Sequence, residues 1–486
     1  MPMTCLRMHS DESGAALLLA LLALTLLSIL GFFMSLSATT GVEISDNYES
    51  HVQATYAALA GLHHARVLFR GLDLNDLLKG PDGVYDADAS YMSRARSFEF
   101  RNPVSLLTAR MLDVIDPSSD VAGNPDDGWI STGFYNGVRG VDLIPGLGIV
   151  QTTPNPYGSG TIATSRYFVK VSDNNGETSE IAGDAANSPF VDGDGIVIVR
   201  ALGTAKTIPG TTGLTLRRNS VALFEARFKR FSTWDLGPAL VALGPETSAE
   251  FSGAYEISGG LFPGIGTIDT ASGDSIFPEQ IIRAAAGAGE GITGGAEPIP
   301  SIRDITDQVR SNADQRLLMN PGYLWNFIHN QAREMADNFF EGNQSWLEGR
   351  APGLGAFNPA KPWNAPEQNP KITVVQGDLQ ISGSLSGGGL LIVTGNFSYS
   401  GAFAFSGLVI VAGSGTLTAA GSGSGIEGSV LVANLINSGE KIAFGPSCLS
   451  VGANSRIVSN KENMRMAIGL IPVAQISFRE IAGSDP

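Results

Sequence analysis

The sequence is poor in charge and in cysteine, and both shortages exclude classes of protein. Charged residues make up 16% of the 486 residues, against ~25% in an ordinary soluble domain. The formal net charge is −16, and no cluster of basic side chains stands out. Because such a surface repels phosphate, we expect no nucleic-acid partner. Two distant cysteines, Cys5 and Cys448, with five histidines do not form a zinc site of the usual four-ligand kind.

Motifs that carry catalysis are also missing. The sequence contains no H-E-x-x-H, no G-x-x-x-x-G-K-[ST] and no G-x-S-x-G. One G-x-G-x-x-G match begins at Gly289, but it lacks the strand before it and the helix after it that a dinucleotide site needs. A glycosidase needs a facing pair of carboxylates, whereas the acids between 371 and 440 are scattered at Asp378, Glu427 and Glu440. We therefore expect a structural or binding protein and not an enzyme.

Glycine is what the sequence has in excess. There are 60 glycines, roughly one residue in eight, against a usual ~7%. They follow no G-X-Y period, which excludes collagen, and their mixture with Ser, Thr and Val predicts many short strands and tight turns. The hydrophobic fraction of 43% is enough for a packed core, and the length predicts about three structural units.

The longest apolar run lies near the N-terminus. Residues 15–34 carry no charge, and about 20 such residues span a bilayer as a helix. A secretory signal has a basic start and an apolar core of ~7–15 residues, but here Asp11 and Glu12 accompany Arg7. We expect a retained membrane helix, with a signal cleaved near Ala38 as the alternative. Helical spacing then predicts an amphipathic continuation, with an apolar stripe of Ile44, Tyr48, Val52, Tyr56, Leu59 and Leu62.

Three segments of this region carry a resemblance to a known family. Glu12-Ser13-Gly14 before the Ala/Leu run resembles the processing site of type IV pilin-like proteins. TYAALAGLHHARVLF (55–69) is similar to the signature that ends the first helix of PilX-like minor pilins, and TTGVEISDNY (39–48) resembles the stretch after their membrane segment. The resemblance implies cleavage between Gly14 and Ala15 by a prepilin peptidase. One position departs from the pattern, because Leu19 stands where most pilins have Glu.

The resemblance also implies a location and partners. A PilX-like protein is a single-pass inner-membrane protein whose C-terminal region is periplasmic or exposed on the pilus. Its partners are other pilins, minor pilins and the inner-membrane assembly platform. The expected function is therefore pilus assembly, priming or surface interaction. A tip pseudopilin of a type II secretion system and a membrane-anchored, carbohydrate-interacting β-solenoid are the alternatives.

The middle of the chain predicts a sheet and one acidic loop. Segments 166–172, 195–205 and 216–231 have the composition or alternation of strands. Between the first two lies a loop rich in Asp, Asn and Gly, residues 172–195. Calcium takes carboxylate and amide oxygens, and the candidate ligands are Asp173, Asn175, Asp192 and Asp194. The other interpretation is an ordinary solvated turn.

The C-terminal part contains an internal repeat. Residues 371–386, 390–404 and 408–422 align, a looser copy follows at 429–439, and a related fragment occurs at 238–260. Val375, Val393 and Val411 are each 18 residues apart. Repeats of ~20 residues with β-branched strands and Gly turns predict stacked turns of a β-solenoid. We expect these valines to face the interior and the neighbouring Thr394 to face outward.

Together these observations predict an α+β protein in seven segments. They are a leader (1–14), a transmembrane and amphipathic helix (15–70), a β-rich pilin-like domain (71–235), first solenoid-like strands (236–260), a helical insertion and linker (261–370), β-solenoid-like repeats (371–460) and a C-terminal tail (461–486).

Overall fold

A single long helix forms the N-terminal part of the described chain. The computed structural model describes residues 12–70, 74, 149–154, 161–174, 192, 194–206, 219–271, 278–287, 289–295, 298–359, 367–421, 423 and 425–480. Helix α1 runs without interruption over Glu12–Leu68. The large apolar side chains from Leu17 to Leu36 are exposed. Within the described residues, α1 is long and apolar enough to cross a membrane.

The C-terminal half of α1 packs on an antiparallel sheet of five strands. Their order is β1-β2-β3-β4-β24, and every neighbouring pair is antiparallel. The alternation expected in β4 is present only near its end, where Ala226 and Phe228 are buried against α1 while Arg227 is exposed; residues 222–225 are all buried. The strands are β1 Ile149–Pro154, β2 Thr161–Asp173, β3 Ile196–Lys206, β4 Asn219–Lys229 and β24 Ala474–Glu480.

The face that α1 turns to this sheet consists mainly of small residues, and of the predicted apolar stripe only Leu62 is fully buried there, while Val52 and Leu59 are half-buried. Ile44, Tyr48 and Tyr56 are 64%, 71% and 65% exposed. The buried positions are Ser50, Ala54, Ala57, Ala58, Gly61, Leu62 and Ala65. The spacing of large side chains indicates a face that is mostly exposed, because a helix that lies directly on a sheet needs small residues at the contact.

A second β region is built from parallel strands in two long sheets. The larger sheet runs β10-β8-β5-β20-β18-β16-β14-β11 along its main path, with β7, β9, β13, β21 and β23 attached to it. Its main strands are β5 Leu240–Gly244, β8 Ile265–Asp269, β10 Ile302–Asp304, β11 Asn338–Glu341, β14 Asn369–Gln376, β16 Leu385–Val393, β18 Phe403–Gly413 and β20 Gly425–Asn437. The attached strands are β7 Tyr255–Ser258, β9 Ile292–Thr293, β13 Gly355–Ala356, β21 Ile442–Gly445 and β23 Ser455–Ser459.

The second long sheet has six parallel strands in the order β12-β15-β17-β19-β22-β6. They are β6 Thr247–Ser252, β12 Gln344–Leu347, β15 Leu379–Ser382, β17 Phe397–Ser400, β19 Thr416–Ala420 and β22 Ser447–Gly452. We call the two sheets together the strand stack. In the larger sheet Val375 pairs with Val393 and Val393 with Val411, so the 18-residue spacing is the pairing register.

Both faces of the larger sheet are buried. Val375, Val393 and Val411 contribute to the inner cluster, which lies between the two long sheets. Their sequence neighbours Ile392 and Ile410 are equally buried on the other face, beneath short helices. Helix α2 covers Pro278–Ala286 and lies outside this layer. The elements of the layer are α3 Thr306–Ser311, a 3₁₀ turn Gln315–Met319, α4 Pro321–Asn326, a π-helical turn Phe327–Gln331, α5 Ala332–Met335 and α6 Lys461–Gly469. The outward face expected next to Val393 is therefore covered, and Thr394 itself is half-buried.

Glycine allows the strands of the larger sheet to bend. Gly389, Gly407 and Gly428 pair with one another in successive strands. At Gly407 φ is +143°, and a Cβ atom there would lie 1.9 Å from the carbonyl oxygen of Gly389. No side chain fits at that distance, so the abundance of glycine follows partly from the close stacking of these bends.

The chain order inserts the strand stack into the first sheet. β4 and β24 are adjacent antiparallel strands, and residues 236–473, which form the stack and its helices, connect them. Segment 261–370, expected as helical insertion and linker, also supplies β8 and β10 to one end of the larger sheet and β11 to the other. The segment expected as a tail, 461–486, contains α6 and the edge strand β24.

Candidate functional sites

The predicted processing site lies in the first turn of the described helix. Gly14 and Ala15 belong to α1, and the leader residues before Glu12 lie outside the described part of the chain. The exposed apolar run begins immediately afterwards, at Leu17. Cleavage between Gly14 and Ala15 stays a prediction.

The acidic loop uses its described carboxylates to close the turn into β3. Asp192 Oδ1 accepts hydrogen bonds from the amides of Gly195 (2.7 Å) and Ile196 (3.1 Å). Asp194 accepts one from the Ile196 amide at 2.8 Å and one from the Asn174 side chain at 3.0 Å. These bonds account for the buried position of Asp192.

The four predicted calcium ligands are only partly described. Asp173 is the last residue of β2, and Asn175 lies outside the described residues. Among the residues that the structure describes, no three His, Cys, Asp or Glu side chains lie together as a metal site requires. Calcium binding by the complete loop stays a prediction.

The contact between α1 and the sheet is a backbone-to-backbone approach at one glycine. A Cβ atom at Gly203 would lie 1.9 Å from the carbonyl oxygen of Ala54 and 2.4 Å from the nitrogen of Ala58. Polar contacts also cross this seam: His64 Nδ1 and the Tyr167 hydroxyl are 2.7 Å apart, and Ser165 Oγ donates to the Gln53 carbonyl at 3.5 Å. A tyrosine hydroxyl is protonated at neutral pH, so Tyr167 can donate to His64 in the tautomer with an unprotonated Nδ1; burial raises the pKa of Tyr167 further.

Two ion pairs join the helix-bearing sheet to the strand stack. At the end of α1, Arg70 Nη2 lies 2.7 Å from Asp337 Oδ2, which also accepts the amide of Ile372 at 2.9 Å. At the end of β4, Lys229 Nζ lies 2.8 Å from Asp314 Oδ1. Since both acids belong to the segment between β10 and β14, these contacts connect the end of α1 and the end of β4 to that segment.

A buried carboxylate connects three strands of the first sheet. Glu225 on β4 accepts from Arg200 on β3 at 2.7 Å and from Arg479 on β24 at 2.7 Å. Burial opposes ionisation of Glu225, but the hydrogen bonds and charges of Arg200 and Arg479 outweigh it and hold the pKa of this carboxyl below its usual range. The C-terminal strand is thus held to the sheet by charge as well as by backbone pairing.

Three carboxylates of the strand stack, Asp378, Glu427 and Glu440, have different surroundings. Asp378 accepts the amide of Asn396 at 2.7 Å, and Glu427 is paired with Arg456 at 2.8 Å. Glu440 lies exposed between β20 and β21. Asp378 and Glu427 therefore have structural contacts, and Glu440 faces solvent.

Comparison with known proteins gives no relative. No family model, no curated protein and no solved structure matches this chain.

Proposed function

We propose that this protein is a PilX-like minor pilin subunit that acts as a structural part of a type IV pilus. Helix α1 anchors it in the inner membrane, and the sheet with its inserted strand stack forms the periplasmic or pilus-exposed body. The observation that carries the proposal is the combination within one helix of an exposed apolar first half and a small-residue face packed on an antiparallel sheet. This arrangement suits a subunit that is held by its helix and presents a folded body beyond the membrane.

We further propose that the strand stack is a β-solenoid. The in-register parallel pairing of Val375, Val393 and Val411 supports it. So does the sharing of one inner cluster by two long parallel sheets. A solenoid buries its apolar residues against neighbouring turns, which makes a stiff extension whose length follows from the number of repeats. In a pilus subunit such an extension presents a surface for contact with other subunits or with the environment.

Deleting the gene tests the proposed function. The proposal predicts fewer or no surface pili, restored by the wild-type gene, with secretion of exoproteins unchanged. A gene that encodes the Gly203→Ala variant should restore few pili, because that change separates α1 from the sheet. Normal piliation with a loss of exoprotein secretion would instead identify a component of a type II secretion system. An unchanged phenotype in both assays would contradict both assignments.

A further inference from the structure

The segment that connects β4 to β24 begins and ends on the same strand of the stack. Near its start, β5 pairs with β20, and the hydroxyl of Ser429 on β20 donates to the Pro238 carbonyl at 2.8 Å. Near its end, α6 begins beside the same strand, where the side-chain amide of Asn463 donates to the Glu427 carbonyl at 2.8 Å. The folded stack therefore holds both ends of the segment at neighbouring positions of β20.

A direct hydrogen bond also joins the two ends of this segment. The hydroxyl of Ser459, just before α6, donates to the carbonyl of Gly237, just before β5, at 2.6 Å. Without the folded stack, residues 230–473 would form one long loop between β4 and β24, and the entropic cost of bringing loop ends together grows with loop length. The stack removes most of this cost, because it places the two ends side by side.

Strand β24 is a short edge strand with little burial of its own. Within the described residues it pairs only with β4, and the residues Gln475–Glu480 are exposed. Phe478 stacks on Phe224 of β4. Arg479 pairs with Glu225 of the same strand. Because these contacts are few, the pairing of β24 with β4 depends on the high local concentration that a short connection to the folded stack provides.

We propose that β24 is a latch, a strand that closes the first sheet only while the strand stack is folded. Helix α1 and strands β1 to β4 precede the stack in the chain, so they are synthesised before β24. Until the stack folds, the edge of β4 stays open, and Val473 is missing from the cluster between α1 and the sheet. Open strand edges pair with other chains, so the latch distinguishes a chain with a folded stack from one without. The proposal concerns folding and does not depend on the pilus function.

Hydrogen exchange of the full-length protein in detergent micelles, measured by mass spectrometry over a series of urea concentrations, tests the latch. Amides of β24 should lose protection at the same urea concentration as amides of β18 and β20, because the opened stack no longer holds α6 near β4. Amides of β3 should stay protected beyond that concentration. Loss of β24 before the stack would show an edge strand that frays by itself. Protection of β24 after the stack has opened would show a strand that needs no stack, and either result would overturn the proposal.

A variant within the stack gives a second test in the absence of urea. Val393→Asp changes a residue of the inner cluster and leaves the first sheet untouched, and exchange of β16 shows that the stack has opened. Amides of β24 should then exchange at least ~10-fold faster than in the wild type, whereas amides of β3 should be unchanged. Gln380→Asp, on the exposed side of β15, is the matched control and should change neither strand. Unchanged β24 beside an opened stack, or equal loss of protection in β3, would overturn the latch.

Discussion

The two β regions of this chain bury their cores in opposite ways. In the strand stack, large side chains such as Phe397, Phe403 and Leu417 fill the space between parallel sheets. At the seam between α1 and the antiparallel sheet, the helix and strand β3 approach closely because the contact residues have no side chain or a small one, as at Gly203 and Ala54. We therefore expect the space between the long sheets to tolerate loss of contacts in small steps, whereas the close approach at Gly203, like that at Gly407 in the stack, leaves no room for an added atom.

The same contrast explains which of the two regions can be predicted from the sequence. The stack was visible because Val375, Val393 and Val411 repeat at the spacing that parallel pairing requires. The sequence does not predict the seam, because its contact residues are small. The large residues Ile44, Tyr48 and Tyr56 indicate a different face of the helix, which is exposed. Small residues on a helix are common, so their spacing alone does not identify a contact.

Long-range order was the other part that the sequence did not reveal. Pairing of Ala474–Glu480 with β4 joins residues separated by the whole stack, and no local pattern encodes which distant strand an edge strand chooses. Burial of Ile392 and Ile410 likewise depends on helices far away in the chain. For the acidic loop, the sequence supplied the acids but did not distinguish a metal site from hydrogen bonds to amides.

The largest effect should come from a charge placed in the stack. Val393→Asp buries a carboxylate without a partner in the inner cluster, which costs several kcal/mol of unfolding free energy. Ile392→Asp should cost a similar amount, because the other face is also buried. Gln380→Asp, on the exposed face of β15, is the control and should change the melting temperature little. Equal tolerance of all three would show that the parallel strands do not pack as described.

A single added methyl group should damage the seam. Gly203→Ala places an atom where the Ala54 carbonyl oxygen lies, and such overpacking costs ~2 kcal/mol or more. Gly353→Ala is the matched control, since its nearest neighbour would be 3.8 Å away. Thermal unfolding followed by circular dichroism measures both. A melting temperature for Gly203→Ala as high as that of the control would mean that α1 does not rest on β3.

A smaller loss of stability is expected from replacing Glu225, the buried carboxylate that pairs with Arg479 of β24. Glu225→Gln weakens the bonds to Arg200 and Arg479 and should cost about 2 kcal/mol. The pKa of Glu225 is lower in the folded chain than the ordinary ~4.3. The carboxylate therefore stabilises the fold above that value, and this contribution is lost as the pH falls through the folded pKa. Acid titration of stability should show this loss in the wild type and a weaker one in Glu225→Gln.

The smallest effect concerns the acidic loop. Calcium that binds only the folded loop would raise the melting temperature by mass action, and Asp192→Asn would reduce the rise. The full-length protein in millimolar calcium is compared with the same protein in chelator. No shift between the two conditions would assign Asp192 and Asp194 to closing the turn alone.

The N-terminus of the mature protein tests the central claim most directly. A pilin-like subunit keeps its apolar helix as the anchor, so α1 must survive processing. Mass spectrometry of the protein extracted from membranes should identify an N-terminal peptide that begins at Ala15. A chain that begins near Ala38 would have lost the exposed apolar segment and would contradict anchoring by α1 and, with it, the proposed pilus subunit.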